Sequence, residues 1–264
     1  MFKTFVINLD KDTKRMQFMH YQLSNLNIEY CRIPAILGKE YKPSHTEYNE
    51  ELAIKKGGHK MLLGEIGCAL SHAKVIESIV SEKIPYSLIL EDDISIPYNF
   101  KEIIEREIKK NEINKKWEYL LFDYVEVGKP YIRQWLTGVK NTLKNLWQIN
   151  IFKAMVYSLY FFIKGLYIIP LSIFEGMRER YMKNHPGSVQ FFRPVYFAGA
   201  YLVSLSGAEK LYSLTKPVVY TADQLPNKAR FLRGLKFRGY APQSVYQQKQ
   251  QFGSSILDLD GSEI

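Results

Sequence analysis

The amino-acid sequence predicts an α/β fold in which an open, mainly parallel sheet is flanked by helices and carries a helical insertion. Strand-like and helix-like hydrophobic patterns alternate up to about residue 125, and the strand pattern returns at residue 194. The segment between them is both apolar and basic. Alternating elements build a sheet whose ligands bind beyond the carboxyl ends of its strands. We therefore predict two halves of one domain, 1–128 and 194–264, with 129–193 inserted between them.

The first half contains seven predicted elements. Four are strands, at 5–9, 28–33, 86–90 and 117–122. The first of the three helices is capped by Asp12 and has Met16, Met19, Leu23 and Leu26 on one face. The second spans 64–83 and ends before Pro85, and the third is capped by Asn99 and runs to about Lys110.

The second half begins with a predicted strand at 194–204. Ser206 and Glu209 then have the spacing of a helix capping box. Another helix is expected from about Thr221 and a strand at 237–241. The remaining tail is rich in Gln, Ser and Asp, and we expect it to wrap back over the site or to fray.

Composition and charge narrow the class of protein. Among 264 residues, 46% are hydrophobic and 24% are charged, which excludes a disordered or fibrous chain. The net charge is +9, yet nine Lys and Arg stand against two Glu between residues 129 and 185. A nucleic-acid binder would spread its basic residues over the whole body, so no nucleic-acid partner is expected.

The insertion also contains two apolar runs, 154–163 and 165–174, interleaved with aromatic residues. Lys164 and Gly165 separate the runs and Pro170 interrupts the second. Each is therefore too short for a membrane span, which needs about 20 apolar residues. Two interpretations remain: the segment packs on the body, or it lies in the interface of an anionic membrane, which its one-sided charge favours.

The two cysteines, Cys31 and Cys68, lie in a predicted strand and a predicted helix, which does not fit a disulfide scaffold. A reducing compartment is expected. No signal peptide is recognised, because Met1 leads directly into a strand-like run.

Three consecutive carboxylates, Glu91, Asp92 and Asp93, follow the predicted strand at 86–90. We refer to them as the acidic triplet. Because like charges at this spacing repel, they need compensation, and Mg²⁺ or Mn²⁺ prefers oxygen ligands of this kind. A solvated acidic turn explains the triplet equally well when it is considered alone.

The segment Gly64–His72 is the second local signal. Two glycines near a helix start would let a ligand approach the backbone, and free amides there favour phosphate. Considered alone, however, the segment favours a structural interpretation, with Gly67 serving helix packing and His72 a hydrogen-bonded core histidine.

Several motifs recur in a fixed order: Asn8-Leu9 and then Arg15, Pro34-Ala35, Gly64–His72, Leu90–Asp93, Gly199–Ser204 and Gly207-Ala208. In this order they resemble glycosyltransferase family 25, which includes bacterial lipooligosaccharide galactosyltransferases. The resemblance covers roughly residues 1–125 and 194–256. It implies a GT-A fold, a UDP-sugar donor, a divalent metal ion and inversion at the anomeric carbon.

The resemblance also implies roles for individual residues. The acidic triplet resembles the family's DxD motif, although its first residue is Glu; Asp93 and Glu91 are the expected metal ligands, and Glu91 or Asp92 reaches metal or ribose. The implied donor-binding residues are Asn8, Leu9, Arg15, Ala35, Glu65, Ser71, His72, Glu91, Asp92, Gly199, Ala200 and Tyr201, the last three on a strand facing the sugar or acceptor. Residues 1–128 would then bind the nucleotide sugar, and residues 194–264 the acceptor.

Sugar transfer also needs a base that takes the proton from the acceptor hydroxyl as it attacks the face opposite UDP. We expect a carboxylate outside the acidic triplet. Asp223 follows the Gly199 strand and its helix, where related inverting enzymes of the GT-A type place their base. Asp123, at the end of another predicted strand, is the competing candidate. The structural alternative for Asp223 is a first-turn acid that the helix dipole favours.

The function implied is transfer of a hexose, with galactose favoured, from UDP-galactose or UDP-glucose to a lipid-linked oligosaccharide in lipooligosaccharide biosynthesis. Such an enzyme would be cytoplasmic and bound peripherally, through its insertion, to the cytoplasmic face of the inner membrane. Two rivals are a metal-dependent nucleotidyl or phosphoryl transferase that uses the same triplet, and a non-catalytic basic binding module.

Overall fold

The structure is a computed structural model that describes residues 2–126, 136–137, 139–141, 144, 151–191 and 194–248. The chain divides into two compact units, Met1–Val125 with Gly187–Ile264, and Glu126–Pro186. Neither unit tests the predicted domain boundaries, which stay predictions.

The first unit is built on a seven-stranded sheet with the order β2-β1-β3-β9-β5-β10-β7. The strands of the described chain are β1 Lys3–Asn8, β2 Cys31–Pro34, β3 Tyr86–Glu91, β4 Ile94–Ser95, β5 Tyr119–Leu121, β6 Val125–Glu126, β7 Gly187–Gln190, β8 Val195–Tyr196, β9 Ala200–Ser204, β10 Phe237–Ala241 and β11 Tyr246–Gln247. Within the sheet, β9 and β7 run antiparallel to their neighbours and the other five strands share one direction. The predicted mainly parallel sheet is confirmed.

Helices cover both faces of this sheet. The helices described in the first unit are α1 Thr13–Asn25, α2 Glu50–Leu52 with the π-helical turn Ala53–Gly57, α3 Leu63–Ser81, α4 Phe100–Asn114, α6 Leu205–Tyr212 and α7 Gln224–Arg233. The second unit contains α5 Ile151–Asn184. Side chains alternate along the strands, so that Ile89 packs with α3, α6 and α7 whereas Leu88 and Leu90 pack with α1 and α4. The sheet is therefore buried on both faces.

The second strand begins at Cys31, three residues later than the sequence predicts. The reason is the end of α1, where Asn27 adopts a positive φ of 50° and the Ile28 amide donates to the Leu23 carbonyl. Residues 26–28 therefore close the helix, and Ile28 packs in the core rather than in the sheet.

Four predictions about helix starts are also corrected. The α6 cap is Ser204, whose Oγ accepts from the Gly207 amide at 3.2 Å, because the helix begins directly after β9 and not at a Ser206–Glu209 box. Asp12 and Asn99 occupy the N-cap positions of α1 and α4, but neither side chain makes a capping hydrogen bond. The helix expected from Thr221 begins at Gln224, since a turn at the Thr221 carbonyl precedes it.

The insertion contains α5, whose backbone is helical without a break through residues 164, 165 and 170. The helical character expected for the insertion agrees with α5, which runs through Pro170 for 34 residues. No helix among the described residues combines the length and hydropathy needed to cross a membrane. The described part of the chain does not include Lys129, Arg133, Trp135, Trp147, the side chains of Lys153 and Lys164, or the tail from residue 249.

Candidate active site

A cavity of about 320 Å³ lies at the carboxyl ends of β1 and β3. These strands are parallel neighbours, and Ile7 pairs with Glu91 where they end. The cavity walls bring together most of the residues that the sequence singled out: Asn8, Leu9, Arg15, Ala35, Glu65, Ser71, His72, Glu91, Asp92, Asp93 and Asp223. A cavity thus lies at the strand ends, where the sequence leads us to expect a ligand site, and ligand binding there stays a prediction.

Asp92 is held by the side chains of Asn8, at the end of β1, and Arg15, in α1. Asn8 Nδ2 donates to Asp92 Oδ2 at 2.7 Å, and Arg15 donates to Oδ1 at 3.3 Å. Arg32 Nε in turn donates to Asn8 Oδ1 at 2.8 Å and fixes the amide. Burial raises the pKa of Asp92, while the Asn8 and Arg15 contacts oppose that rise. Because both carboxylate oxygens have protein partners, Asp92 positions the triplet.

Glu91 faces α3. Its Oε1 lies 3.1 Å from His72 Nε2 and 3.8 Å from the Cys68 thiol, which donates to it. Since Nε2 faces a carboxylate, it carries the proton, and Nδ1 accepts from the Tyr201 hydroxyl at 2.9 Å. Burial and the nearby Glu91 charge raise the pKa of Cys68 well above its ordinary value. His72 is thus hydrogen-bonded on both nitrogens, as the structural interpretation expects, and it also lines the cavity.

Asp93 differs from its neighbours because one of its buried oxygens, Oδ1, has no hydrogen-bond partner in the described chain. Its other oxygen lies 3.9 Å from Arg15. Burial, Glu91 and Asp92 together raise the pKa of Asp93 to about 7. Asp93 shares its positive neighbour, Arg15, with Asp92, and a hard divalent cation would supply a second positive charge. Asp93 therefore fits a metal ion, and the metal-ligand role of Glu91, which contacts His72 and Cys68, stays a prediction.

Gly67 brings the loop after β2 against α3. A Cβ atom on Gly67 would lie 2.4 Å from the Ile36 carbonyl oxygen. One turn later, Ser71 Oγ accepts from the Ile36 amide at 2.8 Å and donates to the Gly67 carbonyl at 2.7 Å. The space beside Gly67 is filled by the chain itself, which supports helix packing over ligand approach. Ala35 is held at the cavity wall by this contact.

Glu65 caps α3, because its Oε2 accepts from the Leu62 amide at 2.8 Å. It also lies 3.3 Å from His59 Nε2. The contacts of Glu65 and Ser71 thus support the local structure of the cavity wall, and their donor-binding roles stay predictions.

Asp223 lines the cavity and precedes α7. Its Oδ1 accepts from Thr221 Oγ1 at 2.5 Å, and the side chain makes no helix-capping hydrogen bond. Asp123 follows β5, is 4% exposed, and does not line the cavity. Gln243 donates to its Oδ1 at 3.2 Å.

Gly199, Ala200 and Tyr201 lie behind the acidic triplet rather than at the cavity surface. The Gly199 carbonyl accepts from the Glu91 amide at 2.7 Å, and Tyr201 stacks on Tyr119 with ring centroids 4.6 Å apart. A Cβ on Gly199 would lie 2.7 Å from Asp123 Oδ2. The structure therefore brings these residues beneath the site, where they support Glu91 and His72, and shows no surface through which Ala200 or Tyr201 would meet a donor.

Other cavity residues were not predicted. Phe197 has a positive φ of 88°, which is rare for a bulky side chain and is imposed by the turn between β8 and β9. Gln247 reaches the cavity because β11 pairs with β4, and the next amide, of Gln248, donates to the Asp93 carbonyl at 2.7 Å. The tail is thus over the site as far as residue 248.

Comparison with known proteins identifies the family of the chain. A family model described as glycosyltransferase family 25 (LPS biosynthesis protein) matches residues 1–226, which include the cavity residues up to Asp223. The chain belongs to glycosyltransferase family 25.

Curated relatives of this family 25 chain come from animals and bacteria. It is 29% identical over 150 residues to procollagen galactosyltransferase 1-B of Xenopus laevis, covering 53% of this chain and 24% of that protein. A Haemophilus influenzae protein named "Putative glycosyltransferase" is 29% identical over 110 residues, 42% of this chain and 39% of that one. Inactive glycosyltransferase 25 family member 3 of Mus musculus is 25% identical over 135 residues, 49% and 22% of the two chains. The chain thus spans about a quarter of the animal relatives.

Proposed function

We propose that this family 25 chain is an inverting glycosyltransferase of the GT-A type that transfers a hexose, with galactose favoured, from a UDP-sugar to a lipooligosaccharide acceptor. The observation that supports the proposal most is the cavity in which Asp93, with its unpartnered oxygen, shares walls with Asp223. Sugar transfer requires a cation for the leaving diphosphate and a base for the acceptor hydroxyl. Asp93 suits the first requirement and Asp223 the second.

The acidic triplet serves the leaving side of the reaction. Asp93 and Glu91 would hold Mn²⁺ or Mg²⁺, which supplies neutralisation of the charge that develops on a leaving diphosphate. Asn8 and Arg15 keep Asp92 in place, so that Asp93 keeps its direction towards the cavity. The fixed geometry avoids reorganisation during the reaction.

Asp223 serves the attacking side. The hydrogen bond from Thr221 holds one carboxylate oxygen in place. The second oxygen then accepts the proton of the acceptor hydroxyl as that hydroxyl attacks the anomeric carbon. Inversion follows because a single attack occurs on the face opposite the leaving group.

The sugar and the acceptor are supported by the relatives. One relative is named a procollagen galactosyltransferase, which favours galactose, and the family description names lipopolysaccharide biosynthesis. A bacterial relative is consistent with a bacterial glycolipid acceptor.

The insertion supports a location at a membrane. Five apolar residues of α5, spaced alternately by three and four, form one exposed stripe: Leu159, Phe162, Leu166, Ile169 and Ile173. Lys140 and Lys144, in the helical residues before α5, are exposed as well. An apolar stripe accompanied by basic residues suits the interface of an anionic leaflet, and we place the protein at the cytoplasmic face of the inner membrane.

A donor screen tests the function. Purified protein is offered each UDP-sugar, and each nucleoside triphosphate, with and without Mn²⁺. UDP-galactose turnover that needs Mn²⁺ is the expected result, and Asp93→Asn should lower it by about 100-fold or more. Glu105→Gln, which alters an exposed acid on α4, is the matched control and should keep full turnover.

Two results would contradict the proposal. Turnover of nucleoside triphosphates in place of UDP-sugars would assign the triplet to a nucleotidyl or phosphoryl transferase. UDP-sugar binding without turnover on every acceptor tried would identify the chain as a binding module. One mouse relative is named an inactive family member.

A further inference from the structure

Three different metal-binding groups meet at the α3 side of the cavity. The Cys68 thiol, the His72 imidazole and the Glu91 carboxylate have donor atoms within 4.8 Å of one another, and all three residues line the cavity. We propose that they form a Zn²⁺ site whose chemistry differs from that of the all-oxygen site at Asp93.

The spacing of the donor atoms suits a tetrahedral ion. Ligand atoms around tetrahedral Zn²⁺ lie about 3.3 to 3.6 Å apart, given metal–ligand distances of about 2.0 to 2.3 Å. His72 Nε2 and Glu91 Oε1 are 3.1 Å apart, and Cys68 Sγ and Glu91 Oε1 are 3.8 Å apart. The donor atoms of Cys68 and His72 lie within 4.8 Å of each other. Shifts of up to about 1 Å would therefore bring all three groups to tetrahedral spacing. The fourth position is left for water.

The backbone already holds the ligands in the required arrangement. Cys68 and His72 are four residues apart in α3, so they lie on one face of the helix, one turn from each other. Glu91 is the last residue of β3, and its amide is tied to the Gly199 carbonyl at 2.7 Å. Two rigid elements thus supply the three groups.

Tyr201 orients the imidazole. His72 is 3% exposed, its Nδ1 lies 2.9 Å from the Tyr201 hydroxyl, and the two rings stack 5.8 Å apart. Histidine ligands are commonly fixed by a hydrogen bond at the second ring nitrogen. When Nε2 binds the ion, the imidazole proton resides on Nδ1 and is donated to the Tyr201 oxygen, and the thiol proton of Cys68 leaves to solvent.

The donor set determines which ion binds. A thiolate and an imidazole favour Zn²⁺ or Co²⁺, whereas Mg²⁺ prefers oxygen ligands alone. Zn²⁺ would also remove Glu91 from the cation site at Asp93. If the proposed function holds, Zn²⁺ is therefore an inhibitor of sugar transfer, but binding itself does not depend on that function.

Absorption spectroscopy with Co²⁺ as the probe tests the site in the full chain without any substrate. We expect one Co²⁺ per chain, with a thiolate charge-transfer band in the near ultraviolet and the strong visible bands of a four-coordinate ion. Equimolar Zn²⁺ should remove these bands, and about a 100-fold excess of Mg²⁺ should not. Cys68→Ser should abolish the thiolate band, and His72→Gln should weaken binding by about 10-fold or more.

The second cysteine gives a matched control. Cys31 is exposed on β2 and does not line the cavity, so Cys31→Ser should keep the full Co²⁺ spectrum. A wild-type protein without a thiolate band, or a band lost in Cys31→Ser and kept in Cys68→Ser, would overturn the proposal. A further measurement needs no variant: Zn²⁺ should slow alkylation of Cys68 and leave that of Cys31 unchanged, and equal rates with and without Zn²⁺ would overturn it equally.

Discussion

Two aspartates, Asp223 and Asp123, compete for the role of base, and their surroundings differ. Asp223 lines the cavity and accepts a hydrogen bond from Thr221. Asp123 lies under Gly199 and accepts from Gln243. Proton transfer requires the base to reach the acceptor hydroxyl directly or through one water molecule. Asp223 lines the cavity and Asp123 does not, so Asp223 is the better placed of the two for this role.

We therefore predict that Asp223→Asn lowers kcat by about 100-fold or more, because general base catalysis contributes at least that factor. The affinity for UDP should stay within about twofold of the wild-type value. Stopped assays with UDP-galactose, together with UDP titration by calorimetry, separate the two quantities. Asp123→Asn is the matched comparison. If it shows the loss of kcat while Asp223→Asn remains active, the base is Asp123.

For single residues, the sequence predicts which side chains could carry the chemistry better than it predicts which side chains contact one another. The triplet is visible because its three acids are adjacent, and the structure places all three at the cavity. The hydrogen-bond partners that distinguish the three acids cannot be predicted from the sequence, because Arg15 is 77 positions from Asp92 and Cys68 is 23 positions from Glu91. The positive φ of Phe197 likewise depends on the turn that the sheet imposes.

Helix α3 forms one wall of the cavity, and two facing glycines let the loop after β2 approach it. A Cβ on Gly67 would meet the Ile36 carbonyl at 2.4 Å, and one on Gly38 would meet the Leu63 carbonyl at 1.8 Å. The obstacles are backbone atoms, which cannot rotate away as a side chain would. The wall therefore depends on both glycines.

Gly67→Ala should lower the free energy of unfolding by about 1 to 3 kcal/mol, the usual cost of overpacking, and should weaken UDP binding because Ala35 moves with the loop. Chemical denaturation followed by circular dichroism measures the first effect. Gly176→Ala is the control, since Gly176 is also helical and a Cβ there meets no atom within 4 Å. That control should be neutral or stabilising by up to about 1 kcal/mol. Equal destabilisation by both changes would show that helix propensity, and not the loop contact, is responsible.

Helices and strands with a clear hydrophobic periodicity were predicted well, and their first and last residues were predicted less well. The strand at 237–241 agrees with β10, and the helix at 64–83 begins and ends within two residues of α3. Ends depend on which backbone groups find partners in the folded chain. For this reason the cap of α6 was missed, and Asp12 occupies the N-cap of α1 without making a capping hydrogen bond.

For the whole molecule, the exposed stripe of α5 has a different composition from the exposed residues of the sheet unit. Leu159, Phe162 and Leu166 are 59%, 64% and 64% exposed and lie on one helical face. Apolar residues exposed singly are ordinary, whereas a continuous stripe marks an interaction surface. We propose an anionic membrane as its partner, and self-association is the alternative.

We predict that the protein sediments with anionic liposomes and that salt releases it, because screening weakens the attraction between charges. Replacing Leu159, Phe162 and Leu166 with Gln should reduce the bound fraction by about 10-fold or more and leave activity on a short soluble acceptor nearly unchanged. Replacing Tyr98, Ile113 and Phe231, exposed residues of the sheet unit, is the matched control and should not affect binding. Equal binding to neutral liposomes at every salt concentration contradicts the charge argument, and loss of a dimer in place of liposome binding would assign the stripe to self-association.

The position of β9 in the sheet has a consequence for biosynthesis. The strand that carries the acidic triplet, β3, pairs on one side with β1 and on the other with β9, where residue 90 lies opposite residue 200. At about 5 to 20 residues per second, the ribosome needs roughly 5 to 20 s to make the chain between those two positions. Throughout that interval β3 is an uncovered edge, a template for pairing with other chains. The nascent protein therefore passes through a stage in which the strand that carries the acidic triplet is an uncovered edge, and α5 is synthesised before that strand can be covered.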